Sequence, residues 1–138
     1  LLLFTSCSND SKFEIQTDED IIQYIEDNDL NANRTNSGLY YVINNKGSGT
    51  RPTNTSNVTV AYKGYFLNGK TFDSSDANGI SFGLNQVIRG WTEGIPLFKE
   101  GGEGILIVPY NLGYGINGRS SIPGGAALVF DIKLIRVN

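Results

Sequence analysis

The chain is 138 residues long and 39% hydrophobic, with a formal net charge of −3, 17 glycines, one cysteine and no histidine. That length fits one compact domain with a short extension, and the glycines together with many β-branched and aromatic residues favour strands and tight turns. Excluded are a Ser-His-Asp or Cys-His nucleophile, a His-ligated zinc, an internal disulfide, a basic run that could track nucleic-acid phosphates, and an apolar stretch of the roughly 18 residues a membrane span needs.

Leu1-Leu2-Leu3-Phe4-Thr5-Ser6-Cys7 is an apolar run, two small residues and a cysteine. It resembles the end of a bacterial lipoprotein signal with its lipobox, in which the cysteine is acylated and becomes the mature N-terminus. The expectation is a signal remnant over residues 1–7 and lipid attachment at Cys7. That places the protein in the cell envelope, anchored to a bacterial membrane and facing the periplasm or the surface. The alternative for the same residues is an ordinary apolar strand with a free thiol.

Residues 8–37 read as a polar tether and a short helix. Thr17 is a good N-cap, Asp18, Glu19 and Asp20 suit the positive end of a helix, and Ile21, Tyr24 and Ile25 share one face. Three turns are marginal alone, so this helix must lie against something. Residues 29–37 form a polar connector. The period then changes to strand in Leu39-Tyr40-Tyr41-Val42-Ile43 and Val58-Thr59-Val60-Ala61-Tyr62. Asn68-Gly69 signals a type I′ hairpin that returns the chain along Lys70-Thr71-Phe72-Asp73. Val87, Ile88, Trp91, Gly94 and Ile95 recur at helical spacing and predict one short helix ending near Pro96 to Phe98. The apolar runs Gly104–Val108 and Leu128–Ile135, separated by a Gly- and Ser-rich loop, complete the chain. Strands with one helix between them predict an α+β fold, an antiparallel half-barrel sheet covered on one face by that helix.

Gly113-Tyr114-Gly115-Ile116-Asn117-Gly118 fits the G-x-G-x-x-G pattern, but a dinucleotide fingerprint must open a helix. Arg119-Ser120-Ser121-Ile122-Pro123-Gly124 follows instead, which points to a surface flap. Tyr62, Phe72, Trp91, Tyr114 and Phe130 lie on different elements at inward positions. As five core fillers they need no function. Asp73, directly after Phe72 on a core-facing strand, weighs against that, because a buried carboxylate needs a partner and a tyrosine hydroxyl is the obvious one.

Val58 to Gly64, Gly69 to Ser75, Gln86 to Gly94, Gly113-Tyr114-Gly115, and Ile122-Pro123 through Leu128-Val129-Phe130-Asp131 occur in the order and at the spacing of an FKBP domain. The chain thus resembles the FKBP-type peptidyl-prolyl cis-trans isomerases over about residues 38–137, and is similar to the bacterial, Bacteroidetes-like, FKBP lipoproteins that carry a short helix before the domain. The resemblance implies a sheet of five or six antiparallel strands wrapped on the helix that carries Trp91. It implies that Trp91 is the floor of a pocket, that Tyr62, Phe72 and Phe130 are its walls, and that Val87 and Ile88 are its rim. The Ile88 N–H and the Tyr114 hydroxyl would donate to the substrate, Tyr62 would hold Asp73, Phe82 would add a wall, and Ile122 would close the flap side. Gly113, Phe98 and Gly124 replace the family's usual Ala, Met and second proline, and the flap is one residue shorter than in the best-known eukaryotic relatives.

An X-Pro bond turns slowly because its resonance must be broken, a barrier of about 18–20 kcal/mol. No covalent bond changes, so no nucleophile, metal or cofactor is called for, and the missing histidine fits. The expected partners are proline-containing polypeptides and macrolide inhibitors, with no nucleic acid, and the expected state is a monomer. The rivals are a non-catalytic chaperone module that holds proline segments in the same pocket, and a structural surface lipoprotein.

Overall fold

The computed structural model of the chain describes residues 13–138, so Cys7 and the rest of the lipobox-like run lie outside the described residues. The first helix, α1, spans Asp18–Asp27. Thr17 caps it reciprocally. Its side chain accepts from the Asp20 N–H, while the Asp20 carboxylate accepts from the Thr17 N–H at 2.8 Å. Ile21 is fully buried beneath it, with Tyr24 and Ile25 half-buried on the same side, as their spacing predicts.

Seven strands follow: β1 (Asn33–Arg34), β2 (Tyr40–Asn45), β3 (Asn57–Phe66), β4 (Thr71–Ser74), β5 (Ile80–Gly83), β6 (Glu103–Val108) and β7 (Leu128–Val137). They form one antiparallel sheet in the order β1-β2-β6-β7-β3-β4, with β5 also on β3. The expected α+β architecture holds. The strand count exceeds five or six because the polar connector contributes β1, which adds only two residues to β2, and because β4 and β5 share one edge of β3.

A second helix, α2 (Arg89–Gly94), continues into a 3-10 turn at Ile95–Leu97. The helical spacing read from Val87 starts two residues early. Val87 is extended and Ile88 is the N-cap. Gly90 and Gly94, one turn apart, let α2 sit directly on β6. A Cβ at Gly90 would lie 2.6 Å from Val108 Cγ1, and one at Gly94 2.7 Å from Leu106 Cδ1. The hairpin at Asn68-Gly69 is present but is not type I′. Only Gly69 has a positive φ, of 91°, while the Gly69 N–H bonds to Phe66 O and the Phe66 N–H to Lys70 O. This is the three-residue loop, a turn followed by one left-handed residue, that also suits the twist of a β-ribbon.

Alternation along the strands splits the interior into two cores. Leu106, Val108, Leu128, Phe130, Ile132 and Leu134 face α2 and pack with Trp91, Ile95 and Phe98. Ile107 and Val129 point the opposite way and pack with Ile21, Tyr40 and Ala127 under α1. The sheet is therefore covered on both faces, not on one. No helix among the described residues is long and apolar enough to cross a membrane.

Candidate functional site

β3 carries Tyr62 at the point where its outer edge passes from β5 to β4. There the Ser75 N–H donates to Tyr62 O and the Tyr62 N–H to Ser75 Oγ, both at 2.9 Å. The Tyr62 ring packs against α2. The α2 N-terminus is fixed by Thr92, whose hydroxyl donates to the Leu84 carbonyl of the preceding turn. Trp91, one turn into the chain reversal, is thereby held at the centre of an aromatic group. Its ring centroid lies 5.0 Å from Tyr62, 5.2 Å from Phe130 and 5.3 Å from Phe82, with Tyr62 and Phe130 edge-on. Phe72 from β4 closes on Phe130 at 5.7 Å and 84°. Edge-to-face pairs of this kind favour one fixed arrangement over interchangeable packing.

These rings line a cavity of about 490 Å³. Trp91 and Phe130 lie at its base, only 5% and 3% exposed. The Trp91 indole N–H is the single buried side-chain polar atom without a hydrogen-bond partner among the described residues. Val87, Ile88 and Tyr114 are half-buried among the other lining residues. Neither the Ile88 N–H nor the Tyr114 hydroxyl donates to any group among the described residues, so both are available to an incoming carbonyl.

Asp73 also lines the cavity and accepts from the Tyr62 hydroxyl at 2.6 Å. The carboxylate is exposed, not buried as its place after Phe72 suggested, because β4 is an edge strand. Burial raises the ionisation of the Tyr62 hydroxyl well above its ordinary value of 10.0. The bond to Asp73, the charge of Asp73 and the nearby Tyr114 raise it further. No group of three or more acidic or cysteine side chains among the described residues could hold a metal.

Nine residues singled out in the sequence meet at this cavity: Tyr62, Phe72, Asp73, Phe82, Val87, Ile88, Trp91, Tyr114 and Phe130. Ile122 does not join them. Its backbone bridges Arg119 at the flap base, and its side chain is 9% exposed within the core under α2, so it pins the flap and does not line the cavity. Cys7 lies outside the described residues. Three lining residues were not anticipated: Ile80, Gln86 and Arg119. The alternation Ile80-Ser81-Phe82 between two glycines carried a signal for the first, since it marks a short strand. Nothing in the pattern marked the other two.

The chain matches the family described as FKBP-type peptidyl-prolyl cis-trans isomerase over residues 48–135. It is 49% identical over 106 residues to a probable FKBP-type peptidyl-prolyl cis-trans isomerase, FkpA, of Neisseria meningitidis, covering 75% of this chain and 39% of that protein. Against FkpA of Escherichia coli K12 the identity is 42% over 105 residues, with the same two coverages. The chain thus spans well under half the length of these relatives. The crystal structure of Escherichia coli FkpA superposes with a TM-score of 0.78 at 38% identity, over 84% of this chain and 56% of that one. A peptidyl-prolyl cis-trans isomerase from Pseudomonas syringae pv. tomato superposes with a TM-score of 0.76 at 28% identity, over 84% of this chain and 89% of that one.

Proposed function

This chain belongs to the FKBP-type peptidyl-prolyl cis-trans isomerase family, and we propose that it accelerates rotation about X-Pro bonds in folding polypeptides. The observation that carries this reading is the aromatic cavity with two unengaged donors, the Ile88 N–H and the Tyr114 hydroxyl, among its lining residues. A planar amide is polar and best solvated by water. The twisted amide at the top of the barrier has lost conjugation and charge separation, so an apolar pocket favours it relative to the ground state. In this reading Trp91 is the floor under the proline ring, and Tyr62, Phe72, Phe82 and Phe130 are walls shaped to the twisted form. Val87 and Ile88 form the rim. The Ile88 and Tyr114 donors hold the flanking carbonyls, and Asp73 fixes the Tyr62 ring through its hydroxyl. Each 1.4 kcal/mol of preference for the twisted state gives about tenfold in rate.

The test is a proline-limited peptide isomerisation assay with and without an immunosuppressant macrolide. Catalysis suppressed by the macrolide supports the reading. Tight peptide binding without acceleration would make the protein a holding chaperone instead. Residues 38–138 form the catalytic unit in this proposal. The cell-envelope location and lipid anchor rest on the sequence around Cys7. Labelled palmitate should enter the wild-type protein in a bacterial host and not the Cys7→Ser variant.

A further inference from the structure

Of the residues lining the cavity, only Asp73 and Arg119 carry a formal charge. They come from opposite sides. Asp73 belongs to β4, where its carboxylate is engaged by the Tyr62 hydroxyl. Arg119 belongs to the flap between Tyr114 and Pro123, and its guanidinium has no hydrogen bond and no ion pair among the described residues.

The flap fixes the backbone that carries this cation. The Arg119 N–H donates to Ile122 O at 2.9 Å and the Ile122 N–H to Arg119 O at 2.8 Å, closing a four-residue reversal. Ser120 takes a positive φ of 52° to make that reversal. The buried Ile122 side chain then anchors it to the core. The backbone of Arg119 is therefore fixed over an apolar cavity while its side chain stays exposed, in a molecule whose net charge is negative. A guanidinium presents several N–H donors in a planar fork that matches a carboxylate.

Resting on the isomerase reading, we infer that Arg119 is a specificity-determining residue that favours proline segments with an acidic side chain next to the proline. The carboxylate meets Arg119 at the mouth while the proline ring enters the aromatic cavity. Because the pair is exposed to solvent, the preference is modest, about two- to fivefold in kcat/KM.

The experiment compares peptides that differ only in carrying Glu, Gln or Lys at the residue before the proline, and a second set varied at the residue after it. Wild type should turn over the Glu peptide about two- to fivefold faster than the Lys peptide in one of the sets. The advantage should vanish in about 1 M salt, where the screening length is about 3 Å. Arg119→Gln should level the ratio and Arg119→Glu should invert it. Lys46→Glu, the same charge change at a residue outside the cavity, should leave the ratio as in wild type. Because each ratio is taken within one protein, a change in overall rate does not disturb it, and the salt series on wild type stands even if a variant fails to fold. Equal ratios in wild type and Arg119→Glu, or a wild-type preference that survives high salt, would overturn the inference while leaving isomerase activity intact. A wild type that accelerates none of the peptides overturns the isomerase reading itself.

Discussion

The Tyr62 hydroxyl is held protonated far above neutral pH, by burial first and then by its bond to Asp73. Tyr65 is raised in the same way by burial and by Asp131, to which its hydroxyl donates at 2.8 Å. Because the folded state raises both values, the stability they contribute is complete below the ordinary tyrosine value of 10.0 and is lost as pH climbs past it. With no histidine in the chain, isomerisation should be flat between about pH 6 and 8. A bell-shaped kcat/KM profile inside the neutral window, on a peptide without ionisable groups, would demand a group titrating there, which none of the side-chain types lining the cavity ordinarily does. Asp73→Ala tests the other half of the pair. As Asp73 is exposed, the variant should lose under about 1 kcal/mol of stability, yet kcat/KM should fall about tenfold as the Tyr62 ring loosens. Lys70→Ala on the hairpin loop should change neither, and an equal loss there would break the link to the site. Tyr62, Phe72 and Phe130 could be read from the sequence because strand alternation fixes where they point. Gln86 and Arg119 could not, since both are exposed residues, one ending the 3-10 turn Leu84–Gln86 and the other in the flap, where no long period encodes direction.

At the level of elements, the first helix is where sequence and structure differ most usefully. Its capping and its apolar face were legible, and so was the need for something to pack on. What it packs on was also encoded, in the unbroken apolar runs Ile105-Leu106-Ile107-Val108 and Leu128-Val129-Phe130. A strand covered on one face alternates, whereas one buried on both faces does not. The segment just before the helix is tied down as well. The Gln16 N–H donates to Gly125 O at 2.9 Å, the Gln16 side-chain oxygen accepts from the Ala127 N–H at 2.8 Å, and Gly125 in turn donates to Gly115 O beside Tyr114. Residues 15 and 16, expected as tether, thus grip the base of the flap. A chain beginning near Asn36 keeps every cavity residue but uncovers Tyr40, Ile107 and Val129. It should therefore isomerise peptides within about tenfold of the longer chain while folded, about 1.4 kcal/mol, but unfold at much lower denaturant. Ile21→Ala alone should cost about 2–5 kcal/mol. If the truncated chain were as stable as the parent in urea, the packing of α1 would be energetically idle.

For the whole molecule, the question is whether the helix and the isomerase domain form one cooperative unit or two. Reading residues 8–37 as a separate piece predicts that the helix can leave while the pocket stays. The geometry argues for one unit, because the two cores are opposite faces of the same strands. On β6, Leu106 and Val108 belong to the pocket side and Ile107 to the helix side, and on β7 Val129 sits between Leu128 and Phe130. Those strands are joined residue by residue from Glu103↔Lys133 to Val108↔Leu128, so loosening one face disturbs the ladder that supports the other. Small single domains generally unfold in one step when their contacts are shared in this way. Trp91 is the only tryptophan, and its fluorescence reports the pocket side alone. Hydrogen exchange of the amides at Tyr24 and Ile25 reports the helix side. In a urea series the fluorescence midpoint and the loss of α1 protection should coincide, with a single m-value describing both. Protection of α1 that disappears well before the Trp91 signal changes would show a helix that undocks from an intact domain. The side-chain bond of Gln16 to the Ala127 N–H decides between partial and complete undocking. Gln16→Ala should lower α1 protection and the fluorescence midpoint together if the unit is single, and α1 protection alone if it is not.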